Sequence, residues 1–150
     1  MSTGLMLYLL TLLLTSGLSL STSYLAFRHR DQPGGLPLAV LMLSIGEWTL
    51  AYGLEALAWT VRGKVLGSQV AYLGMMLAPP MLFWFAASFT GQNHRLDRRW
   101  LGLLFIIPGF TLILALTNGH HHLIWSQVSL IKTQSRPIGV YDHGPFFWVM

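Results

Sequence analysis

Cysteine is absent from the chain, so neither a disulfide framework nor a thiolate metal site is available to it. Charge is scarce too. Only 9% of residues are charged, against about 25% in a soluble domain. Acidic residues are the scarcest, five against nine Lys and Arg. So few charges cannot cover a water-facing surface. With 53% hydrophobic and 13% aromatic residues, the composition is that of an integral membrane protein whose first partner is the lipid bilayer. The formal charge of +4 does not indicate nucleic acid. Lys and Arg are scattered through short loops between apolar runs and form no basic face.

The apolar runs set the organisation. The first, 4–27, has no charge, no basic residues before it and no A-x-A cleavage site, so it reads as a retained span rather than a signal peptide. A turn-forming loop, RHRDQPGG, separates it from the second run, 36–61. A short basic loop with Arg62 and Lys64 leads to the third, 67–90, where Pro79 and Pro80 predict a kink. The most basic loop, GQNHRLDRR, precedes the fourth run at 100–117, which contains Pro108 and is near the lower length limit for a span. Segment 118–145 is too polar to span. Trp125, Val128 and Leu130 before KTQSRP, with Ile138 and Val140 after it, predict a small hairpin. Pro145 suits the first position of a helix, and FFWVM begins a fifth apolar run. The expected fold is therefore all-α: a polytopic transmembrane bundle of four full spans plus the start of a fifth, with an irregular or hairpin-like extracytoplasmic cap at 118–145. The chain reads as part of a longer protein.

Orientation follows the basic residues. With the N-terminus outside, inner loops hold Arg28, Arg30, Arg95, Arg98 and Arg99, and outer loops hold Arg62, Lys64, Lys132 and Arg136. Three Arg within 95–99, against two basic residues in the long fourth connection, favour that orientation and place 118–145 outside.

The stretch SIGEWTLAYGLEALAWTV, 44–61, holds Glu47 and Glu55 and no other charge. On a helix Trp48, Tyr52, Glu55 and Trp59 share one side, with Glu47 at its border. Lipid has no use for such a face, so it should turn to the other helices. A carboxylate at the membrane centre costs roughly 2.5–3.5 kcal/mol and persists only if paired, hydrogen-bonded or protonated. Two readings stand: a polar pocket for a ligand or a proton, or interhelical hydrogen bonding without a ligand. The expected grouping joins Glu55 to Tyr52, Gln69 and Tyr72, with Glu55 as the signalling carboxylate and Glu47 as a deeper structural residue.

His120, His121 and His122 in NGHHHLIW, with His143 beyond, are weak metal candidates. Adjacent His on an irregular segment lack the i, i+4 geometry of a metal-binding helix, and interfacial His near headgroups is the plainer reading. No Ser–His–Asp set, paired carboxylates or Gly-rich phosphate loop is present, so no catalytic residue and no cofactor is expected in this segment.

Several fragments, in order, carry a resemblance: EWTLAYGLEALA, Lys64, Gln69, YLG at 72–74, Pro79 and Pro80 before FWF, FTG at 89–91, Pro108, TNGHHHLIW and HGPFFW at 143–148. Together they resemble the N-terminal seven-helix membrane region found ahead of bacterial histidine kinases, and sometimes of diguanylate cyclases. The resemblance implies seven spans, an extracytoplasmic N-terminus in the bacterial cytoplasmic membrane, and a sensory role in a two-component system. It also implies a cytosolic output domain in the same chain and a homodimer. It supplies no ligand, and the His triplet departs from the expected loop. The alternative is a fragment of a secondary transporter or permease using Glu47 and Glu55 for protons or substrate near Pro-broken helices.

Overall fold

The computed structural model describes residues 3–92, 98–131 and 136–149. Most of the predicted basic loop (93–97) and of the predicted hairpin turn (132–135) lies outside the described residues.

Three helices are long and apolar enough to cross a membrane: α1 (Thr3–Arg28), α2 (Gly35–Leu57) and α3 (Val61–Phe89). Their burial pattern inverts that of a soluble protein. In α1, Ser16 is 2% exposed while Leu18 is 71% exposed. Small polar residues at 16, 19 and 23 form the packed stripe, and the leucines face outward. Ser16 Oγ donates to the Gly46 carbonyl at 3.0 Å and Ser23 Oγ to the Ala39 carbonyl at 2.7 Å. Small hydroxyl residues that let backbones approach are what helix association in lipid selects, because no hydrophobic gain separates Leu–Leu from Leu–lipid.

α2 is the central helix, and α1 and α3 both pack on it. The α2–α3 seam is close. A Cβ on Gly67 would stand 3.0 Å from Glu55 Cα, and one on Gly74 would collide with the Ser44 carbonyl and the Glu47 carboxylate. Glycine is required at both positions by this approach.

α2 stops at Leu57, short of the expected 61, and Arg62 and Lys64 are not in a loop. Ala58 turns extended, and the Thr60 hydroxyl caps a new helix by accepting from Gly63 N at 3.1 Å. The predicted basic loop is therefore the first turn of α3. α3 runs without interruption through Pro79, which is exposed, and Pro80, which is buried.

The fourth apolar run is helical in two pieces, α4 (Arg98–Leu104) and α5 (Ile106–Leu116), which meet at Phe105. Pro108 explains the break. It has no N–H to give Leu104, and its ring crowds that carbonyl, so the helix restarts with Pro108 in the first turn of α5. A short turn, α6 (Asn118–His121), leads to the hairpin: β1 (Trp125–Ile131) antiparallel to β2 (Ile138–His143). Val128 faces Tyr141 and Ile131 faces Ile138, with an irregularity between Trp125 and Gln127. The predicted strands are thus present. Residues Pro145–Val149 form a 3₁₀ turn rather than the start of an α-helix.

The hairpin is fixed to the helices. Trp125 is 4% exposed and packs edge-on against Tyr72 at 5.4 Å between ring centres. Buried Asn118 donates to the Trp125 carbonyl and accepts from both Ile124 N and Trp125 N, at 2.9–3.1 Å. The resulting core joins Tyr72, Leu114, Ala115, Ile124 and Trp125. The described fold is predominantly helical, with one two-stranded hairpin seated at one end of the layer.

Candidate functional site

The site lies where the C-terminus of α2, the first turns of α3 and the hairpin meet. The last two turns of α2 present Tyr52 and Glu55, one helical turn apart. Tyr141 reaches down from β2. Its hydroxyl donates to Glu55 Oε1 at 2.7 Å and accepts from Ser68 Oγ of α3 at 2.8 Å. One phenol therefore ties three elements together. Burial above all, reinforced by the neighbouring Glu55 carboxylate and opposed by the Ser68 hydrogen bond, holds the Tyr141 hydroxyl above the ordinary tyrosine range. It is a proton donor at neutral pH.

Lys64 is 3% exposed, and its Nζ donates to the Glu55 main-chain carbonyl at 3.0 Å. The same carbonyl accepts from Ala58 N at 3.0 Å, so the ammonium takes its second lone pair, and a cation there suits the negative end of the helix dipole. Arg136 extends the same contact. Its guanidinium donates to the Leu57 carbonyl and lies over the Trp59 ring, 4.7 Å from its centre.

Two cavities flank the Glu55–Tyr141 bond. One, about 390 Å³, is lined by Leu5, Tyr8, Tyr52, Glu55, Lys64, Arg136 and the start of β2. The other, about 340 Å³, is lined by Tyr52, Glu55, Ser68, Tyr72, Trp125, Tyr141 and His143. Both fall within the range of small-molecule sites.

The sequence-predicted residues divide. Glu55, Tyr52 and Tyr72 meet, as lining of the second cavity. Gln69 does not join them: its amide donates to the Ala115 and Leu116 carbonyls at 3.0 and 3.2 Å and ties α3 to the end of α5. Trp59 lies past the end of α2, 61% exposed beneath Arg136. Glu47 is eight residues from Glu55 and in different surroundings. Its carboxylate is buried against Gly74, and both its oxygens and the Trp48 indole nitrogen lack a hydrogen-bond partner among the described residues.

The histidines are dispersed. Leu123 N donates to His121 Nδ1 at 3.1 Å, so Nε2 carries the proton and gives it to Thr117 Oγ1 at 3.0 Å. The Thr117 hydroxyl in turn donates to the Ile113 carbonyl. His120 and His122 are exposed, and His143 stacks on Phe147 at 3.7 Å. Among the described residues no three His, Asp or Glu side chains gather into a set that could hold a metal ion.

Residues 11–150 match the family described as the N-terminal 7TM region of histidine kinase. The chain belongs to that family. No curated protein and no solved structure matches it. Part of the resemblance gathers at the hairpin end: Glu55, Lys64, the TNGHHHLIW turn with Asn118, and HGPFFW at the end of β2. Reasoning from sequence missed Tyr141, Ser68, Asn118 and Arg136 as site residues. Tyr141 stands 86 positions from Glu55, and only the hairpin register brings them together. A buried cation was legible in principle, since Lys64 follows a capping Thr after an apolar run.

Proposed function

We propose that this region is the sensory input of a histidine kinase, and that the hairpin end is where the stimulus acts. The observation that carries the reading is the Ser68–Tyr141–Glu55 chain, in which one hydrogen-bonded phenol couples the hairpin to α2 and α3. A stimulus that binds one arrangement of the hairpin better than another shifts the packing of α2 against α3 by its differential affinity. α3, which lacks two main-chain donors at Pro79 and Pro80, is the element that bends.

In this reading the N-terminus and the hairpin are extracytoplasmic, the membrane is the bacterial cytoplasmic membrane, and later spans carry the signal to a cytosolic kinase domain in the same chain. The protein works as a homodimer in a two-component system. Family membership favours this sensor over a permease. Glu47 and Glu55 also sit in separate surroundings, which does not suit a shared midplane site.

The test is the kinase output of the full-length protein carrying Glu55→Gln or Tyr141→Phe, with membrane abundance as control. Both variants should change stimulus-dependent autophosphorylation in the same direction. A wild-type response from both would remove the site from signalling.

A further inference from the structure

The larger cavity holds opposite charges that do not neutralise each other. Glu55, Lys64 and Arg136 line it; the Arg136 guanidinium is engaged by the Leu57 carbonyl and the Trp59 ring, and the Lys64 ammonium gives its hydrogen bond to the Glu55 carbonyl, not to its carboxylate. Two of the three ammonium donors, Glu55 Oε2, and the hydroxyls of Tyr8 and Tyr52 have no hydrogen-bond partner among the described residues. Lys64 is 3% exposed, so these donors are held out of bulk water.

We infer that this cavity binds a small zwitterion: a primary ammonium joined by a short linker to a phosphate or carboxylate. The acid group takes the open donors of Lys64. The ammonium gives its protons to Glu55 Oε2 and the Tyr8 and Tyr52 hydroxyls. A plain anion leaves the Glu55 carboxylate unpaired and repels it, and a plain cation does the same to Lys64. Only a ligand with both charges satisfies both walls at once, and a partly buried site discriminates on that basis. Leu5 and the Pro137–Gly139 segment supply apolar contact around the linker. The cavity lies at the helix ends, where either a lipid headgroup or a water-borne zwitterion can reach it. The inference builds on the sensor reading by naming the chemistry of the stimulus.

The experiment uses the full-length protein in phosphatidylcholine nanodiscs, with thermal stabilisation and calorimetric titration as readouts. Phosphocholine headgroups lack N–H donors and serve as the background. Phosphoethanolamine and β-alanine are the zwitterionic probes; inorganic phosphate and ethanolamine are the half-probes. At least one zwitterion should bind about tenfold more tightly than either half-probe. Glu55→Gln should cost about tenfold in that affinity and Tyr52→Phe several-fold. Lys64→Gln should abolish binding, and because Lys64 also holds the end of α2, the Glu55 and Tyr52 variants stand as the independent check if it fails to fold. Discs containing phosphatidylethanolamine that suppress further phosphoethanolamine binding identify a lipid source; undiminished binding identifies a free one. Equal affinity for phosphate alone, or no binding of either zwitterion, overturns the inference. A zwitterion that binds without altering autophosphorylation overturns the sensor reading instead. A Glu55→Gln output change without binding of any probe overturns only the ligand.

Discussion

Tyr141 of the hairpin donates its hydroxyl proton to Glu55 of α2 across 2.7 Å. Hydrogen bonds to a charged group contribute roughly 1.5–3 kcal/mol. Tyr141→Phe keeps the ring against Trp125 and removes only the hydroxyl. It should lower the thermal stability of the membrane region, as should Glu55→Gln. Tyr141→Phe removes the bond and Glu55→Gln leaves it only a neutral acceptor, so the double variant should lose less than the sum, with a coupling energy of about 0.5–3 kcal/mol. A double-variant cycle by thermal unfolding in detergent measures it; strict additivity would mean the two groups do not communicate.

The Tyr141 hydroxyl also sets an alkaline limit. Burial raises its folded pKa above the ordinary tyrosine value of 10.0, so the folded state favours the protonated phenol. The stabilisation is fully present below pH 10.0 and is lost as pH rises through the folded pKa. Hairpin attachment should hold through neutral and mildly alkaline pH. Phenolate absorbance should show a late-titrating component, and Tyr141→Phe should diminish it.

Gly74→Ala should be far more damaging than its one methyl suggests. The new Cβ meets the Ser44 carbonyl and the Glu47 carboxylate, and neither main chain can yield without separating α2 from α3. Overpacking of this kind costs about 1–3 kcal/mol. Gly102→Ala, where a Cβ meets nothing within 4 Å, is the matched control. Yield and melting temperature of the two variants should differ clearly.

Asn118→Ala removes three buried hydrogen bonds to Ile124 and Trp125. At roughly 1 kcal/mol each, the loss should loosen the hairpin before the helices. Limited proteolysis should then cut within 122–144 at protease levels that leave the unaltered protein intact.

Because the chain has no cysteine, topology can be read without background. Under the proposed orientation, Gln127→Cys, at an exposed strand position, should react with a membrane-impermeant thiol reagent on intact cells. Leu96→Cys should not. Labelling at 96 from outside would reverse the orientation.

The three long helices were legible because lipid leaves a simple mark, an unbroken apolar run of sufficient length. The hairpin was legible from β-branched and aromatic residues on either side of a polar turn. Two features escaped because they depend on local capping. Thr60 starts α3 six residues before the apolar run does, and Pro108 splits the fourth run by its missing donor. The site was half legible. Tyr52 and Glu55 share a helix face, which spacing reveals, whereas Tyr141, Ser68 and Asn118 act through contacts between distant segments that no period encodes. Gln69 was drawn toward Glu55 by its position in the sequence, but its side chain turns to the carbonyls that end α5.

The serines of α1 address the oxygens of Gly46 and Ala39, atoms that every amino acid possesses. The α1–α2 seam therefore reads the size of its neighbours and not their chemistry. At Gly46 even a methyl would press on Leu20, 2.9 Å from the new Cβ, so size decides what the seam accepts. The α2–α3 seam applies the same test more strictly, since Gly67 and Gly74 leave no room there even for a methyl group.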